Sequence, residues 1–191
     1  MMEERTKSPG EEAEAFLRER KFRDAGKCYE LAAEQADNKK QKADLLKKAA
    51  GVYDEVRMTD DAVRCLTQAS GFLEKMEKAE CLMDCFKVLI LAIAGYEYDC
   101  GFEWRGATDG SHSDDHKSYQ KSMQDYQENA EKILRDALSV EGADRAEILE
   151  RARGELRKRK DDGGWGASRC AEIIENVARA TAGVPHEKIG M

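Results

Sequence analysis

Residues 24–28, Asp-Ala-Gly-Lys-Cys, recur 37 residues later at residues 61–65 as Asp-Ala-Val-Arg-Cys. The match continues on both sides of these segments with the same shift. It pairs Ala13 with Ala50, Phe16 with Tyr53, Tyr29 with Leu66, and Ala32 with Ala69. A fixed period of about 20 to 50 residues is typical of proteins built from stacked repeats. The sequence therefore predicts two copies of one supersecondary unit within residues 11–75.

Each copy has the pattern of two helices joined by a short polar segment. Apolar residues recur at spacings of three and four on either side of residues 20–23 and again of residues 57–60. Two helices can approach closely only where small side chains face each other. We therefore expect alanines at the helix crossings, namely Ala25, Ala32, Ala62 and Ala69.

The composition favours helix along most of the chain. Only two prolines occur in 191 residues, Pro9 and Pro185, each near one end, and proline is the strongest helix breaker. We predict an all-α protein of about seven or eight helices, arranged as a right-handed superhelical stack of antiparallel helical hairpins. We expect a single domain over residues 11–183, a disordered N-terminus over residues 1–10 and a flexible tail over residues 184–191.

An aromatic insertion interrupts the predicted repeats. A strongly apolar helix is expected over residues 77–94, and the next helix is expected to begin near Ser113, so residues 95–113 are predicted to form a loop. Long loops in compact domains are often functional. In the alternative interpretation the helix continues past Gly95 and the rings cover the ends of the core. The rings in question are Tyr96, Tyr98, Phe102 and Trp104.

The spacing of the repeated residues resembles that of the tetratricopeptide repeat. Both copies contain the same pattern of residue types. A small residue is followed three positions later by an aromatic residue. Further along, an alanine is followed four positions later by a large residue and seven positions later by a second alanine. The period of 37 residues makes the chain most similar in style to the soluble NSF attachment protein branch of that superfamily. This resemblance implies a concave helical surface that binds proteins or peptides. Some relatives grip a peptide carboxylate with Lys and Asn, but of the matching positions Gly10, Glu14, Lys47 and Gly51 only Lys47 is basic.

The sequence contains no nucleophile elbow, Walker loop, dinucleotide fingerprint or zincin motif. We therefore predict that the protein is not an enzyme, has no cofactor and no metal, and acts as an adaptor for a protein or peptide partner. The first helix of each pair should line the concave side, with charged residues at Glu14, Arg18, Lys47, Lys48, Asp54 and Glu55. The partner-binding residues predicted from this arrangement are Lys47, Lys48, Asp54, Tyr96, Tyr98, Phe102 and Trp104.

A second hypothesis is a regulator that responds to a metal or a nucleotide. Two pairs with helical spacing, Cys81 with Cys85 and His112 with His116, have the residue types of a zinc site. The basic run at residues 151–160 could hold a phosphate. In the alternative interpretations the thiols belong to the core, and the basic run is a solvated face whose cations offset the helix dipole.

Net charge and hydropathy limit the possible partners and the cellular location of the protein. The net charge of −7 argues against nucleic acid as a partner, because nucleic-acid binding usually leaves a basic footprint. No leader sequence and no apolar run of membrane-spanning length is visible, so we expect a cytoplasmic protein without membrane insertion. The six cysteines should then remain reduced. We expect Cys28 and Cys65 to occupy equivalent buried positions and to react slowly with thiol reagents.

Overall fold

The structure is a computed structural model, and it describes residues 8–106, 113–161 and 167–182. Within these ranges the chain forms eight helices and no strand, which confirms the all-α prediction. The helices are α1 (Pro9–Arg18), α2 (Phe22–Gln35), α3 (Lys39–Glu55), α4 (Thr59–Ser70), α5 (Lys75–Gly106), α6 (Ser113–Leu138), α7 (Arg145–Asp161) and α8 (Ala167–Ala182). The chain divides into two compact units, of which the first ends at Cys81 and the second begins at Leu82.

The first helix begins two residues before the expected position, at Pro9. Ser8 caps it: the Glu11 backbone N–H donates to the Ser8 hydroxyl at 3.4 Å, and the Ser8 backbone N–H donates to the Glu11 carboxylate at 2.9 Å. This reciprocal pair is a capping box. Proline is well suited to the first helical position, where its missing N–H costs no hydrogen bond.

The connection between α1 and α2 is a left-handed turn. Arg20 has a φ of 59°, a backbone conformation that is usually occupied by glycine. The N–H of Arg20 donates to the carbonyl of Leu17 at 3.0 Å, and the N–H of Lys21 donates to the carbonyl of Phe16 at 2.9 Å. These two bonds form a Schellman motif, which satisfies carbonyls that the end of a helix would otherwise leave unpaired.

The same turn recurs 37 residues later, at the end of α3. Arg57 has a φ of 58°. Its N–H donates to the carbonyl of Asp54 at 3.0 Å, and the N–H of Met58 donates to the carbonyl of Tyr53 at 2.9 Å. The repeat seen in the sequence is thus also a repeat of backbone geometry at these two connections.

The first unit has a core rich in alanine. Consecutive helices pack on each other, α1 on α2, α2 on α3 and α3 on α4. Three of the four alanines expected at helix crossings have no exposed surface: Ala25, Ala62 and Ala69. Ala32 is only half-buried, and its neighbour Ala33 is buried in its place. The reason is that the buried face of α2 advances in steps of four, through Tyr29 to Ala33.

The second unit has its own apolar core. Helix α8 contacts both α6 and α7, and α6 also contacts α7. On α6, Ala130, Leu134 and Ala137 have no exposed surface, as their helical spacing predicts. The last helix was expected over residues 167–182 and is found there, with Cys170 and Val177 on its buried face.

Helix α5 is longer than predicted. It continues through Gly106, so the loop expected from Gly95 onward is wrong for residues 95–106. No proline interrupts this stretch, and a glycine inside a helix costs only about 1 kcal/mol, which is less than the packing of one large apolar side chain can supply. Residues 107–112 of the expected loop, and the expected tail at 184–191, lie outside the described residues. Among the described helices, none combines the length and the hydropathy that crossing a bilayer requires.

Candidate interaction groove

An open groove with a volume of about 410 Å³ lies between three helices of the first unit. Its walls come from Leu17 on α1, Phe22 and Tyr29 on α2, and Lys48, Gly51, Val52 and Glu55 on α3. The surface is mostly apolar, and its two charges sit on α3. A concave, mostly apolar surface with a few polar groups is the general form of a binding pocket.

Gly51 keeps the middle of the groove open. A Cβ atom built on Gly51 would have no heavy atom within 4 Å, so no close contact requires a glycine there. Glycine in the interior of a helix costs roughly 0.5–1 kcal/mol relative to alanine. Glycine at position 51 therefore lowers the stability of α3, at a position where any larger side chain would enter the groove.

Tyr29 forms a rigid part of the wall. The residue is 3% exposed, and its hydroxyl donates to the Glu14 carboxylate at 2.5 Å. Burial, and then the hydrogen bond to Glu14, raise the pKa of the Tyr29 phenol to about 12. The Lys48 ammonium lies 5.6 Å from the centre of the Tyr29 ring, a distance suited to a cation–π interaction. Tyr29 is therefore a fixed and almost fully covered part of the groove wall.

The charges of the groove are ordered along α3. Lys48 and Glu55 are seven residues apart, so they lie on the same face of the helix, about 10.5 Å apart along its axis. Gly51 and Val52 occupy the positions three and four residues after Lys48, which places them between the two charges on that face. The groove thus has a positive end, an apolar middle and a negative end.

Of the partner-binding residues predicted from the sequence, Lys48 lines the groove, whereas Lys47 and Asp54 are not among its lining residues. The hydrogen bond and charge of Lys40, and then the charge of Lys47, lower the pKa of Glu77. The carbonyl of Asp54 takes part in the Schellman motif that ends α3. Glu55, which was expected on the concave side, does line the groove.

The aromatic residues predicted to bind a partner lie on the last part of α5: Tyr96, Tyr98, Phe102 and Trp104. Their side chains are outside the described part of the structure. The residues that sequence reasoning missed are the apolar groove walls Leu17, Phe22 and Val52. An available signal was the lone glycine of α3, Gly51, which lies inside the helix between the charged pairs at 47–48 and 54–55.

A polar cluster joins α2, α3 and α4. The Tyr53 hydroxyl donates to the Glu30 carboxylate at 2.7 Å. The Arg64 guanidinium pairs with both oxygens of Glu30 and with Asp61, the latter at 2.8 Å. The hydrogen bonds from Arg64, and then that from Tyr53, lower the pKa of Glu30. Since Tyr53, Glu30 and Arg64 lie on three different helices, the cluster holds the helices beside the groove in place.

Gly26 allows α2 and α3 to approach each other closely. A Cβ atom built on Gly26 would lie 2.5 Å from two ring carbons of Tyr53, well inside contact distance. Tyr53 is 2% exposed, and Glu30 accepts the hydrogen bond of its hydroxyl. Glycine is therefore required at position 26 by packing, whereas at position 51 it is not.

The cysteine pair considered as a zinc site lies in the core. Cys81 and Cys85 have no exposed surface, and the Cys81 thiol donates to the carbonyl of Leu66 at 3.4 Å. Across the described residues, no group of three or more side chains suitable as metal ligands is found. His112, and the side chain of His116, lie outside the described part.

The basic run on α7 is accompanied by acidic partners. Arg151 pairs with Asp84 at 3.0 Å, and Lys158 pairs with Glu155 at 2.8 Å. Two further arginines are paired in the same way, Arg153 with Glu150 and Glu175, and Arg157 with Glu150. The side chains at positions 159 and 160 are not described. These pairs reduce the positive field that a phosphate would require at this face.

Comparison of the chain with protein-family models, with curated proteins and with solved structures gave no match.

Proposed function

We propose that this protein is a non-catalytic adaptor, and that the groove of the first unit binds a segment of a partner protein. The observation that carries this proposal is the open apolar groove with Gly51 at its centre. A side chain at position 51 would strengthen α3 and meet no obstacle, so a glycine there favours access to the groove over helix stability.

The chemistry of the lining supports binding rather than catalysis. Tyr29 has its pKa raised to about 12, and its hydroxyl is held by Glu14, so it is poorly suited to transfer protons near neutral pH. The other polar side chains of the lining are Lys48 and Glu55, at opposite ends of an apolar wall. An apolar centre flanked by charges is the usual anatomy of a protein interface.

The proposal includes a tetratricopeptide-like arrangement of the repeats. Helices α1 and α2 would form one hairpin, and α3 and α4 the next, with α1 and α3 lining a concave side. The recurring Schellman motifs at Arg20 and Arg57 support this reading, because they make both hairpin connections alike. The groove between α1, α2 and α3 would then be the concave surface of the first repeat pair.

Affinity capture with matched variants tests this function. Gly51→Leu fills the groove, whereas Gly154→Leu makes the same change inside α7, where a Cβ atom has only an ordinary contact at 3.9 Å with the end of Arg157. We expect tagged wild-type protein and Gly154→Leu to enrich the same partner from extracts of the native cell, identified by mass spectrometry. Gly51→Leu should lose that partner while its circular dichroism spectrum is unchanged. Equal capture by all three proteins would contradict the proposal.

A further inference from the structure

The groove offers very few hydrogen-bonding groups to the main chain of a partner. Most of its lining lies inside helices, where N–H and carbonyl groups are already paired with each other, and the helix ends that it includes are Phe22, the first residue of α2, and Glu55, the last of α3. The Tyr29 hydroxyl is bonded to Glu14, which leaves Lys48 and Glu55 as the remaining polar side chains of the lining. An extended peptide placed along this wall would have most of its backbone groups unsatisfied, which is costly on burial. A helix brings its own backbone hydrogen bonds and avoids this cost.

The order of charges on α3 indicates how such a helix would lie. Lys48 and Glu55 stand two turns apart with Gly51 and Val52 between them. A partner helix therefore matches this face when it carries one acidic and one basic residue seven positions apart. Apolar residues follow the first of these charges by three and by four positions. An antiparallel orientation places its dipole favourably against that of α3. In this orientation the basic residue of the partner comes first and faces Glu55, and the acidic residue faces Lys48.

Resting on the proposed function, we infer that the groove takes an amphipathic helix antiparallel to α3, in which a basic residue is followed by apolar residues three and four positions later and by an acidic residue seven positions later. Its apolar side chains enter the space above Gly51, against the half-buried side chains of Leu17, Phe22 and Val52. The charges at the two ends fix the direction and register of the helix, since complementary charges contribute more to specificity than to affinity.

A pair of stapled peptides tests the inference. Both have leucines at the fourth and fifth positions. One has lysine at the first position and glutamate at the eighth, and its twin has the two charges exchanged. The staple makes their helicity equal, which circular dichroism verifies. By fluorescence anisotropy we expect the wild type to bind the lysine-first peptide about tenfold more tightly than its twin, the ratio expected for two exposed ion pairs. The ratio should shrink in 0.5 M NaCl, because salt screens exposed charges.

Exchange of the charges on the protein provides the decisive control. The double variant Lys48→Glu, Glu55→Lys should prefer the twin peptide, while Gly51→Leu should weaken binding of both peptides at least tenfold. An unstapled lysine-first peptide with a proline at one central position should bind at least tenfold more weakly than the unstapled lysine-first peptide without it. The inference is overturned if the wild type does not distinguish the twins or prefers the glutamate-first one, if the proline peptide binds equally well, or if the double variant keeps the wild-type preference.

The two proposals fail in different ways. If capture of the native partner depends on Gly51 but the twin peptides are not distinguished, the adaptor function stands and the helical partner is wrong. If Gly51→Leu retains both the native partner and the peptides, the groove is not the binding site and both proposals are wrong.

Discussion

Gly26 and Gly51 both lie inside helices of the first unit, yet the structure predicts opposite effects for the same substitution. At Gly26, the Cβ atom of an alanine would lie 2.5 Å from Cε1 and Cζ of Tyr53. That ring is 2% exposed, and its hydroxyl is held by Glu30, so it cannot move aside without loss of other contacts. At Gly51, the Cβ atom would meet no heavy atom within 4 Å.

The expected magnitudes follow from these contacts. Overpacking of a buried site costs about 1–3 kcal/mol, and the higher helix propensity of alanine returns about 0.5–1 kcal/mol. Gly26→Ala should therefore lower the free energy of unfolding by about 1–2 kcal/mol. Gly51→Ala has only the favourable contribution and should raise the free energy of unfolding by about 0.5–1 kcal/mol.

Urea denaturation followed by circular dichroism at 222 nm measures both effects. In thermal denaturation followed at the same wavelength, we expect Gly26→Ala to lower Tm by about 2–8 °C, at about 2–4 °C per kcal/mol for a chain of this size. The pair forms its own control, since the chemical change is identical. The reasoning is refuted if Gly26→Ala is as stable as Gly51→Ala, because α2 and α3 would then not be in close contact at Tyr53.

Three further predictions concern the connections, the polar cluster and the thiols. Arg57→Gly should stabilise the protein by about 0.5–1 kcal/mol in urea denaturation, because glycine adopts the positive φ of that position without strain. Glu30→Gln should destabilise the protein at pH 7, and the difference from wild type should shrink as the pH falls toward 3. The pairing with Arg64 lowers the folded pKa of Glu30, so its stabilisation is present above the unfolded pKa and is lost as the pH falls through the folded value. Native Cys28 should react with a thiol reagent well before Cys65, whose pKa burial raises to about 12.

Matched variants control these three measurements. Lys27→Gly, a change on the exposed face of α2, should lower the free energy of unfolding by about 1 kcal/mol. If Lys27→Gly and Arg57→Gly both stabilise the protein, the effect at Arg57 does not come from its left-handed backbone. Glu34→Gln, the same chemical change at an exposed position of α2, is the matched control for Glu30→Gln. After denaturation, single-cysteine variants at positions 28 and 65 should react at similar rates. If they also react at equal rates in the native state, the conclusion that Cys65 is more deeply buried than Cys28 is wrong.

Periodicity was sufficient to predict most helices, because the alternation of apolar and polar residues is a local property of the chain. The last helix and the two repeated connections lie where the sequence placed them. The end of α5 was not predictable in this way. Whether a helix continues through Gly95 depends on the packing of the whole helix, and the local cost of one glycine is too small to decide it.

The groove depends on contacts that no local pattern contains. Leu17, Phe22 and Val52 line one space only because three helices pack at particular distances. The two repeated cysteines illustrate the same point: Cys65 has no exposed surface, whereas Cys28 is half-buried, although their sequence positions correspond. The expectation of equal burial was therefore wrong.

The matching Schellman motifs divide the first unit at equivalent points, so that the segment between them can be duplicated. Residues 21–57 begin just after one left-handed arginine and end on the next. A second copy of this segment inserted after Arg57 would start and finish in the backbone conformation that its neighbours already have. Longer versions of the first unit can therefore be engineered in steps of 37 residues, while any other step would put the αL position and the buried alanines out of register.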